Sequence, residues 1–151
     1  MALNLRNADE VEAAANRMAT LGNELLVEKM VQGAMAELII GLTRDPQFGL
    51  ALVIGAGGMF TELLKDSVTL LLPTSQDEIT RALKTLRIWK VIEGFRGKSG
   101  DQTATFAAIE SVCAFAEAYK DSIEELDINP LFVLPQGAVA ADALIKFRKQ
   151  T

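Results

Sequence analysis

The chain has 151 residues, half of them hydrophobic, and a formal net charge of −5. This length suits one domain with a substantial core, and the acidic charge gives no reason to expect a nucleic acid or an anionic membrane surface as a partner. Histidine is absent and Cys113 is the single cysteine, which excludes histidine-based nucleophilic sites, histidine-ligated zinc and an internal disulfide within the chain. Neither a bilayer-spanning apolar run nor signal-peptide features are present. The single cysteine fits a reducing cytoplasm, which is the expected location.

The N-terminal region predicts a helix over residues 7–22 and a strand over residues 25–31. Asn7 and Glu10 have the spacing of a capping box, and Gly22 stands where a left-handed helix terminator belongs. Within the predicted strand, composition alone makes Glu28 an ordinary exposed residue. The first stretch is therefore predicted as helix followed by strand.

Two aliphatic runs, over residues 36–42 and 50–54, predict the next pair of strands. Asp45, Pro46 and Gly49 lie in the connection between them and are typical turn residues. The pair is therefore predicted to be an antiparallel hairpin. A further apolar run over residues 60–72 predicts a long strand, with a bulge because its alternation is not strict.

A glycine-rich stretch, Gly55-Ala56-Gly57-Gly58, follows the second strand of this hairpin. Its closely spaced backbone N–H groups would allow approach to a phosphate or to another loop. No Gly-Lys-Ser or Gly-Lys-Thr follows, so the stretch is not a P-loop. By the motif alone, a turn between strands is the commoner explanation.

Three helices are predicted in the middle of the chain, over residues 75–86, 88–94 and 101–119. Ser75 and Glu78 form a capping box at the start of the first. Trp89 is predicted to pack in the second, and Cys113 to lie on the apolar face of the third as a core residue. The loop over residues 94–100 carries Arg96, and by composition alone this loop is expected to be solvated.

Near the C-terminus, residues 125–131 alternate polar and apolar side chains. As a strand, this segment sends Asp127 and Asn129 to the face opposite the core, and Pro130 closes or interrupts it. After a turn at residues 135–137, a second apolar run ends at Asp142, so a hairpin would bring Asn129 and Asp142 together. A carboxylate beside an amide oxygen suits Mg²⁺, whereas the alternative is a polar hairpin rim.

Because the predicted strands come in hairpins, the expected fold class is α+β, with a mainly antiparallel sheet and packed helices. The segment over residues 125–131 also resembles the metal-binding segment of ATP-grasp enzymes that form acyl-CoA thioesters. These enzymes are the ADP-forming acyl-CoA synthetases and, more distantly, the β subunit of succinyl-CoA synthetase. Further similar segments lie at residues 26–30, 44–49, 55–58 leading into Glu62, and 94–97 followed by Asp101, so the resemblance covers nearly the whole chain in order.

The resemblance implies a single, partial ATP-grasp domain over residues 1–151, corresponding to the C-terminal subdomain of that fold. It implies ATP and Mg²⁺ as cofactors. By resemblance, the nucleotide-binding residues are Glu28, Val31, Glu37, Gly57, Gly58 and Arg96. The implied metal ligands are Asn129 and Asp142, and Glu125 and Asp127 would lie beside the transferring phosphoryl group.

The implied activity is ATP-dependent, ADP-forming ligation of a carboxylic acid to CoA. Residues 1–5 resemble a point inside the family's domain, so the upstream lobe, the phosphohistidine and the CoA and acid sites are expected in other segments or in a partner chain. The alternative is a non-catalytic ATP-grasp-like binding or regulatory module. Glu28, Asn129, Asp142 and the glycine turn favour the ligase, and nothing in the sequence names the acid.

Overall fold

The computed structural model describes residues 1–20, 22, 24–58 and 65–148. The chain forms two compact units, Met1–Gln32 and Gly33–Thr151. No helix of the described residues is long and apolar enough to cross a membrane.

The first unit contains helix α1, Ala8–Met18. The Asn7 side chain accepts a hydrogen bond from the backbone N–H of Glu10 at 2.9 Å, which confirms the predicted cap. The Glu10 carboxylate accepts from the backbone N–H of Arg6 at 2.8 Å, so the reciprocal bond is made one residue earlier than in a standard capping box. Because the helix ends at Met18 with Ala19 as its C-cap, the prediction that Gly22 terminates it is wrong.

The strand predicted over residues 25–31 is absent, since all of these residues are described and none has strand structure. Leu26 and Val27 are 83% and 67% exposed. Apolar composition alone does not make a strand, because a strand needs a hydrogen-bonded neighbour. The described part of this unit offers none.

The second unit is built on an antiparallel sheet of six strands among the described residues. The strand order is β3-β2-β1-β4-β5, and β6 pairs with β4 beside β5. The strands are β1 Ala36–Asp45, β2 Gly49–Ala56, β3 Ser67–Leu71, β4 Ile123–Val133, β5 Ala138–Ala140 and β6 Ala143–Phe147. The predicted hairpin of the first two strands is confirmed, with longer strands and a turn of only three residues, 46–48.

Among the residues that the structure describes, three helices pack on one face of this sheet: α2 Gln76–Thr85, α3 Trp89–Gly94 and α4 Gln102–Ala118. Leu38, Ile40 and Leu42 of β1 are buried in the core that they share with the helices, and the residues between them are less buried. This alternation defines the second face of the sheet, to which Glu37 and Gly41 belong. The predicted α+β class with a mainly antiparallel sheet is confirmed.

The long strand predicted over residues 60–72 is shorter in the structure, where β3 spans Ser67–Leu71. Residues 59–64, including Glu62, lie outside the described residues. Just before β3, the Asp66 carboxylate accepts hydrogen bonds from the backbone N–H groups of Arg87 and Ile88, both at 2.8 Å. Asp66 therefore joins the start of β3 to the turn that precedes α3.

The helix starts were predicted well because their caps are local in sequence. At α2, Ser75 and Glu78 form both bonds of the capping box.

Trp89 is 2% exposed and makes an edge contact with the ring of Phe106, at a centroid distance of 5.4 Å, so its predicted packing role is confirmed.

The predicted core position of Cys113 is confirmed in part, because Cys113 packs against the buried core cluster without being fully buried. The buried positions of α4 are Thr105, Ile109, Val112 and Ala116, whereas Cys113 is only half-buried. One residue turns an α-helix by about 100°, so the residue after Val112 lies on the flank of the buried face.

Pro130 does not end its strand, because β4 continues from Ile123 to Val133. The ladder with β1 shifts register between Leu38 and Ile40, where Asn129 and Pro130 together oppose Ile39. Pro130 therefore lies in a β-bulge, a position that tolerates a residue without a backbone N–H.

Candidate functional site

The C-terminal hairpin brings Asn129 and Asp142 opposite each other, as the sequence predicted. Ile128 pairs with Ala143 in the β4–β6 ladder, and the backbone N–H of Asn129 donates to the carbonyl oxygen of Asp142 at 3.3 Å. Both side chains are exposed. That they bind a metal ion stays a prediction.

Asp127 and Glu125 lie on the same strand, separated by the buried Leu126. Asp127 is paired with Gly41 of β1 and with Leu144 of β6. Because side chains alternate along a strand, both carboxylates project from the second face of the sheet. Asp127 is half-buried and Glu125 is exposed.

The glycine turn lies against Glu37 at the start of β1. The backbone N–H of Gly57 donates to the carbonyl oxygen of Glu37 at 2.7 Å, which extends the β1–β2 ladder by one bond. A Cβ added to Gly57 would lie 3.1 Å from the Glu37 backbone carbon, and one on Gly58 would lie 2.9 Å from Glu37 Oε2. Gly58 also has a φ of +84°, so both positions suit glycine.

Strand β1 sets the spacing of these groups. Glu37 and Gly41 are four residues apart on it, which corresponds to about 13 Å. The bulge at Asn129 opposes Ile39, between these two positions. Four residues therefore follow one another in one direction along the sheet, in the order Glu37, Asn129, Asp127 and Glu125. Asp142 lies beside Asn129. We call these five residues the acidic row.

The charge of the acidic row decides what it can bind. Lys146 lies opposite Glu125, but its Nζ pairs with Glu124 at 3.2 Å. Four carboxylates would repel a bare triphosphate and attract a divalent cation. Among the described residues, no group of three or more acidic, cysteine or histidine side chains could hold a metal ion by itself. Mg²⁺ commonly takes only one or two protein carboxylates and completes its octahedron with phosphates and water, so the donor set fits Mg²⁺ that arrives with a nucleotide.

Arg96 is not brought to the acidic row by any bond among the described residues. It lies in the exposed loop after α3 with a φ of +52°, and its guanidinium lies 5.3 Å from the centre of the Phe95 ring.

Glu28 and Val31 belong to the first unit, where Glu28 is exposed and Val31 is half-buried. A cavity of about 510 Å³ lies in that unit between α1 and residues 25–30, with Glu28 on its wall.

Sequence reasoning missed the bridging position of Asp101. One carboxylate oxygen accepts from the backbone N–H of Ala104 at 2.9 Å, as a helix cap does, and the other accepts from Gly137 at 2.8 Å. These bonds, that of Ala104 first, hold the pKa of Asp101 below its ordinary value. The position of Asp101 directly before the helix could have predicted its role as the N-cap. The bond to Gly137 could not be predicted, because the two residues are far apart in sequence.

The sequence of the chain is similar to a known domain family and to known ligases. The chain matches the ATP-grasp domain family over residues 1–147. It is 32% identical over 145 residues to acetate–CoA ligase (ADP-forming) II of Archaeoglobus fulgidus, which covers 95% of this chain and 21% of the relative. It is 37% identical over 112 residues to the beta subunit of acetate–CoA ligase (ADP-forming) II of Pyrococcus furiosus, with 72% and 48% covered. The chain therefore spans less than half of the length of either curated relative.

A solved structure has the same fold. It is the dinucleotide-forming acetyl-coenzyme A synthetase 1 of Ca. Korarchaeum cryptofilum, in complex with coenzyme A and Mg-AMPPCP, and it superimposes with a TM-score of 0.83 at 32% identity. The match covers 97% of this chain and 67% of that one. The resemblance seen in the sequence motifs is confirmed, and the chain belongs to the ATP-grasp domain family.

Proposed function

We propose that this chain supplies part of the Mg-ATP site of an ADP-forming acid–CoA ligase, and that it acts as one partial ATP-grasp domain in the cytoplasm. The observation that carries the proposal is the acidic row, which has the glycine turn at one end and the Asn129–Asp142 pair at the bulge. A sheet used only for assembly would have no need to gather carboxylates on one face. The curated relatives named above are ADP-forming acetate–CoA ligases, which supports the same reaction class.

Each part of the site has a separate role in this proposal. Asn129 and Asp142 hold the metal ion through side-chain oxygens, and Asp127 and Glu125 lie next along the row, beside the transferring group. Bound Mg²⁺ supplies the neutralisation of phosphate charge on which phosphoryl transfer depends. The glycine turn lies near the transferring phosphoryl group in this proposal. Gly57 and Gly58 allow the turn to approach Glu37 closely, because a Cβ at either position would contact Glu37. The N–H of Gly57 already donates to the carbonyl oxygen of Glu37.

Glu28, Val31 and Arg96 are each proposed as a nucleotide contact on the basis of their own chemistry. Glu28 suits the ribose hydroxyls as a hydrogen-bond acceptor, and the backbone near Val31 suits the purine edge. Arg96 is exposed on a loop and carries a positive charge suited to phosphate.

CoA and the carboxylic acid are proposed to bind to other segments or to a partner chain. In the Ca. Korarchaeum cryptofilum structure, a phosphohistidine segment points towards the nucleotide-binding site. This chain contains no histidine. If the same carrier operates here, its histidine must come from outside these 151 residues.

The test is to measure nucleotide binding and turnover separately. Titration calorimetry should show Mg²⁺-dependent binding of ATP, and Asp127→Asn should weaken it less than loss of a metal ligand does. The 151 residues alone should release no ADP in a CoA-dependent way with acetate, because preorganised charge around the phosphoryl group supplies much of the rate. Addition of the remaining segments of the ligase should restore both tight binding and turnover.

Two outcomes would contradict the proposal. ATP binding that is absent even after the remaining segments are added would favour a non-catalytic module. Robust acyl-CoA formation by the 151 residues alone would show that no other segment is required.

A further inference from the structure

Asp101 uses both carboxylate oxygens to join two elements far apart in sequence. Its bond to Ala104 caps α4, and its bond to Gly137 reaches the turn between β4 and β5. Its backbone N–H also donates to the carbonyl oxygen of Leu134 at 2.8 Å. A helix cap needs only the bond to Ala104. The bonds to Gly137 and Leu134 therefore serve a different role.

The turn that Asp101 holds leads directly into the strand that ends beside Asp142. Leu134 donates to the carbonyl oxygen of Gly137 at 3.0 Å and closes the turn. Strand β5, Ala138–Ala140, has only three paired residues. So short a strand is weakly held by its own ladder, and an anchor at the turn therefore helps to fix the chain that enters β6.

The residue before Asp101 is fixed equally closely. The N–H of Gly100 donates to the carbonyl oxygen of Ile92 at 3.0 Å. A Cβ added to Gly100 would lie 2.6 Å from Cγ1 of Val133, so the end of the Arg96 loop packs directly on β4. The loop and the hairpin turn thus meet at residues 100–101.

We propose that Asp101 is a positioning residue for the metal site: its bridge to Gly137 sets the place of the hairpin that carries Asn129 and Asp142. This inference rests on the proposed function, because the metal site is part of it. The bridge acts through the hairpin, and Asp101 itself touches neither the metal nor the nucleotide.

Two variants separate the bridge from the cap. Asp101→Ser keeps a good N-cap side chain, but its single hydroxyl is too short to bridge to Gly137. Ser75→Ala is the matched control, because it removes a cap from α2 whose side-chain bonds are all local.

The first measurement needs no ligand and is amide hydrogen exchange in the 151-residue chain. Asp101→Ser should speed exchange at Gly137, Ala141 and Asn129 about fivefold or more, as expected for loss of one hydrogen bond. Ser75→Ala should leave these amides unchanged. Unchanged exchange at the hairpin in Asp101→Ser would overturn the proposal.

The second measurement is the Mg²⁺ concentration that half-saturates binding of AMPPCP. Asp101→Ser should raise it about fivefold while binding of AMPPCP without Mg²⁺ stays unchanged. A loss of stability alone would not do this, since it lowers the folded fraction and leaves the affinity of folded molecules unaltered. Faster hairpin exchange with an unchanged Mg²⁺ requirement would overturn the positioning role. Absence of Mg²⁺-dependent binding in the wild-type chain, also when it is joined to the remaining segments, would instead refute the proposed function.

Discussion

Asn129 and Asp142 are joined across β4 and β6 by a backbone hydrogen bond of 3.3 Å, from the N–H of Asn129 to the carbonyl oxygen of Asp142. The backbone bond fixes their separation without any contribution from their side chains, and both side chains are exposed. The side chains are therefore available for a ligand, and they can be changed with little cost to the core.

Replacement of Asp142 by Asn should weaken Mg²⁺-dependent nucleotide binding and leave the fold intact. Loss even of a residue that supports a metal ligand commonly costs about 10- to 100-fold in metal affinity, so a direct ligand should cost at least tenfold. Titration calorimetry with ATP at several Mg²⁺ concentrations would measure the change, and Asp121→Asn, exposed and outside the hairpin, is the control.

A structure with bound Mg-nucleotide would decide the geometry. The amide oxygen of Asn129 and a carboxylate oxygen of Asp142 should each lie about 2.1 Å from one ion. Side-chain oxygens more than about 6 Å apart would show that the pair does not share an ion.

The α2 capping box should make stability depend on pH. Hydrogen bonds from Ser75, its backbone N–H first, hold the pKa of Glu78 below its ordinary value of 4.5. A lowered folded-state pKa contributes stability that is complete above the unfolded value and is lost as the pH falls through the folded value. Glu78→Gln should therefore be less stable than wild type at pH 7 and should lose less stability between pH 5 and pH 3.

Urea unfolding midpoints at these pH values would measure the Glu78 effect. Glu93→Gln is a suitable control, because Glu93 is exposed and its carboxylate makes no hydrogen bond to the described residues. Equal pH dependence in wild type and Glu78→Gln would contradict the prediction.

Cys113 should react slowly with thiol reagents rather than resist them completely. It lies on the wall of a surface cavity of about 640 Å³ near the C-terminal half of α4. Burial, with a smaller effect of Glu110, raises the pKa of the thiol above its ordinary value of 9.0. Little thiolate exists at neutral pH, and the thiolate is the reactive form.

A chromogenic disulfide reagent would test Cys113 directly, since the chain has one cysteine. Native protein should react more slowly at pH 7.5 than protein unfolded in guanidinium, and the native rate should still rise above pH 9. Equal native and unfolded rates would show that the helix face is placed wrongly.

Trp89 should be important for stability through packing alone. Its indole Nε1 is buried and has no hydrogen-bond partner among the described residues. Trp89→Ala should cost about 3–5 kcal/mol in the free energy of unfolding, as expected for deletion of a buried aromatic side chain. Trp89→Phe should cost less, because the ring contact with Phe106 is retained and no hydrogen bond is lost.

Urea denaturation monitored by far-UV circular dichroism would give both free energies for Trp89. The expected order is wild type, Trp89→Phe and then Trp89→Ala. A Phe variant as unstable as the Ala variant would mean that the indole N–H has an important partner.

Several features were decided by residues close together in sequence, and these could be predicted. The cap of α2 depends on Ser75 and Glu78, one turn apart, and the C-terminal hairpin depends on turn residues between two apolar runs. The same local motifs carried the family resemblance. The α+β class and the proximity of Asn129 to Asp142 therefore follow from sequence.

Contacts between distant residues were decided only by tertiary structure. Glu37 meets Gly58 because β1 and β2 pair in one particular register, and Asp101 meets Gly137 because α4 packs beside the β4–β5 turn. The segment at residues 25–31 shows the converse, since its apolar pattern suggests a strand but it has no strand structure. Hydrogen-bonded partners from elsewhere in the chain decide whether such a pattern becomes a strand, and a local sequence does not encode them.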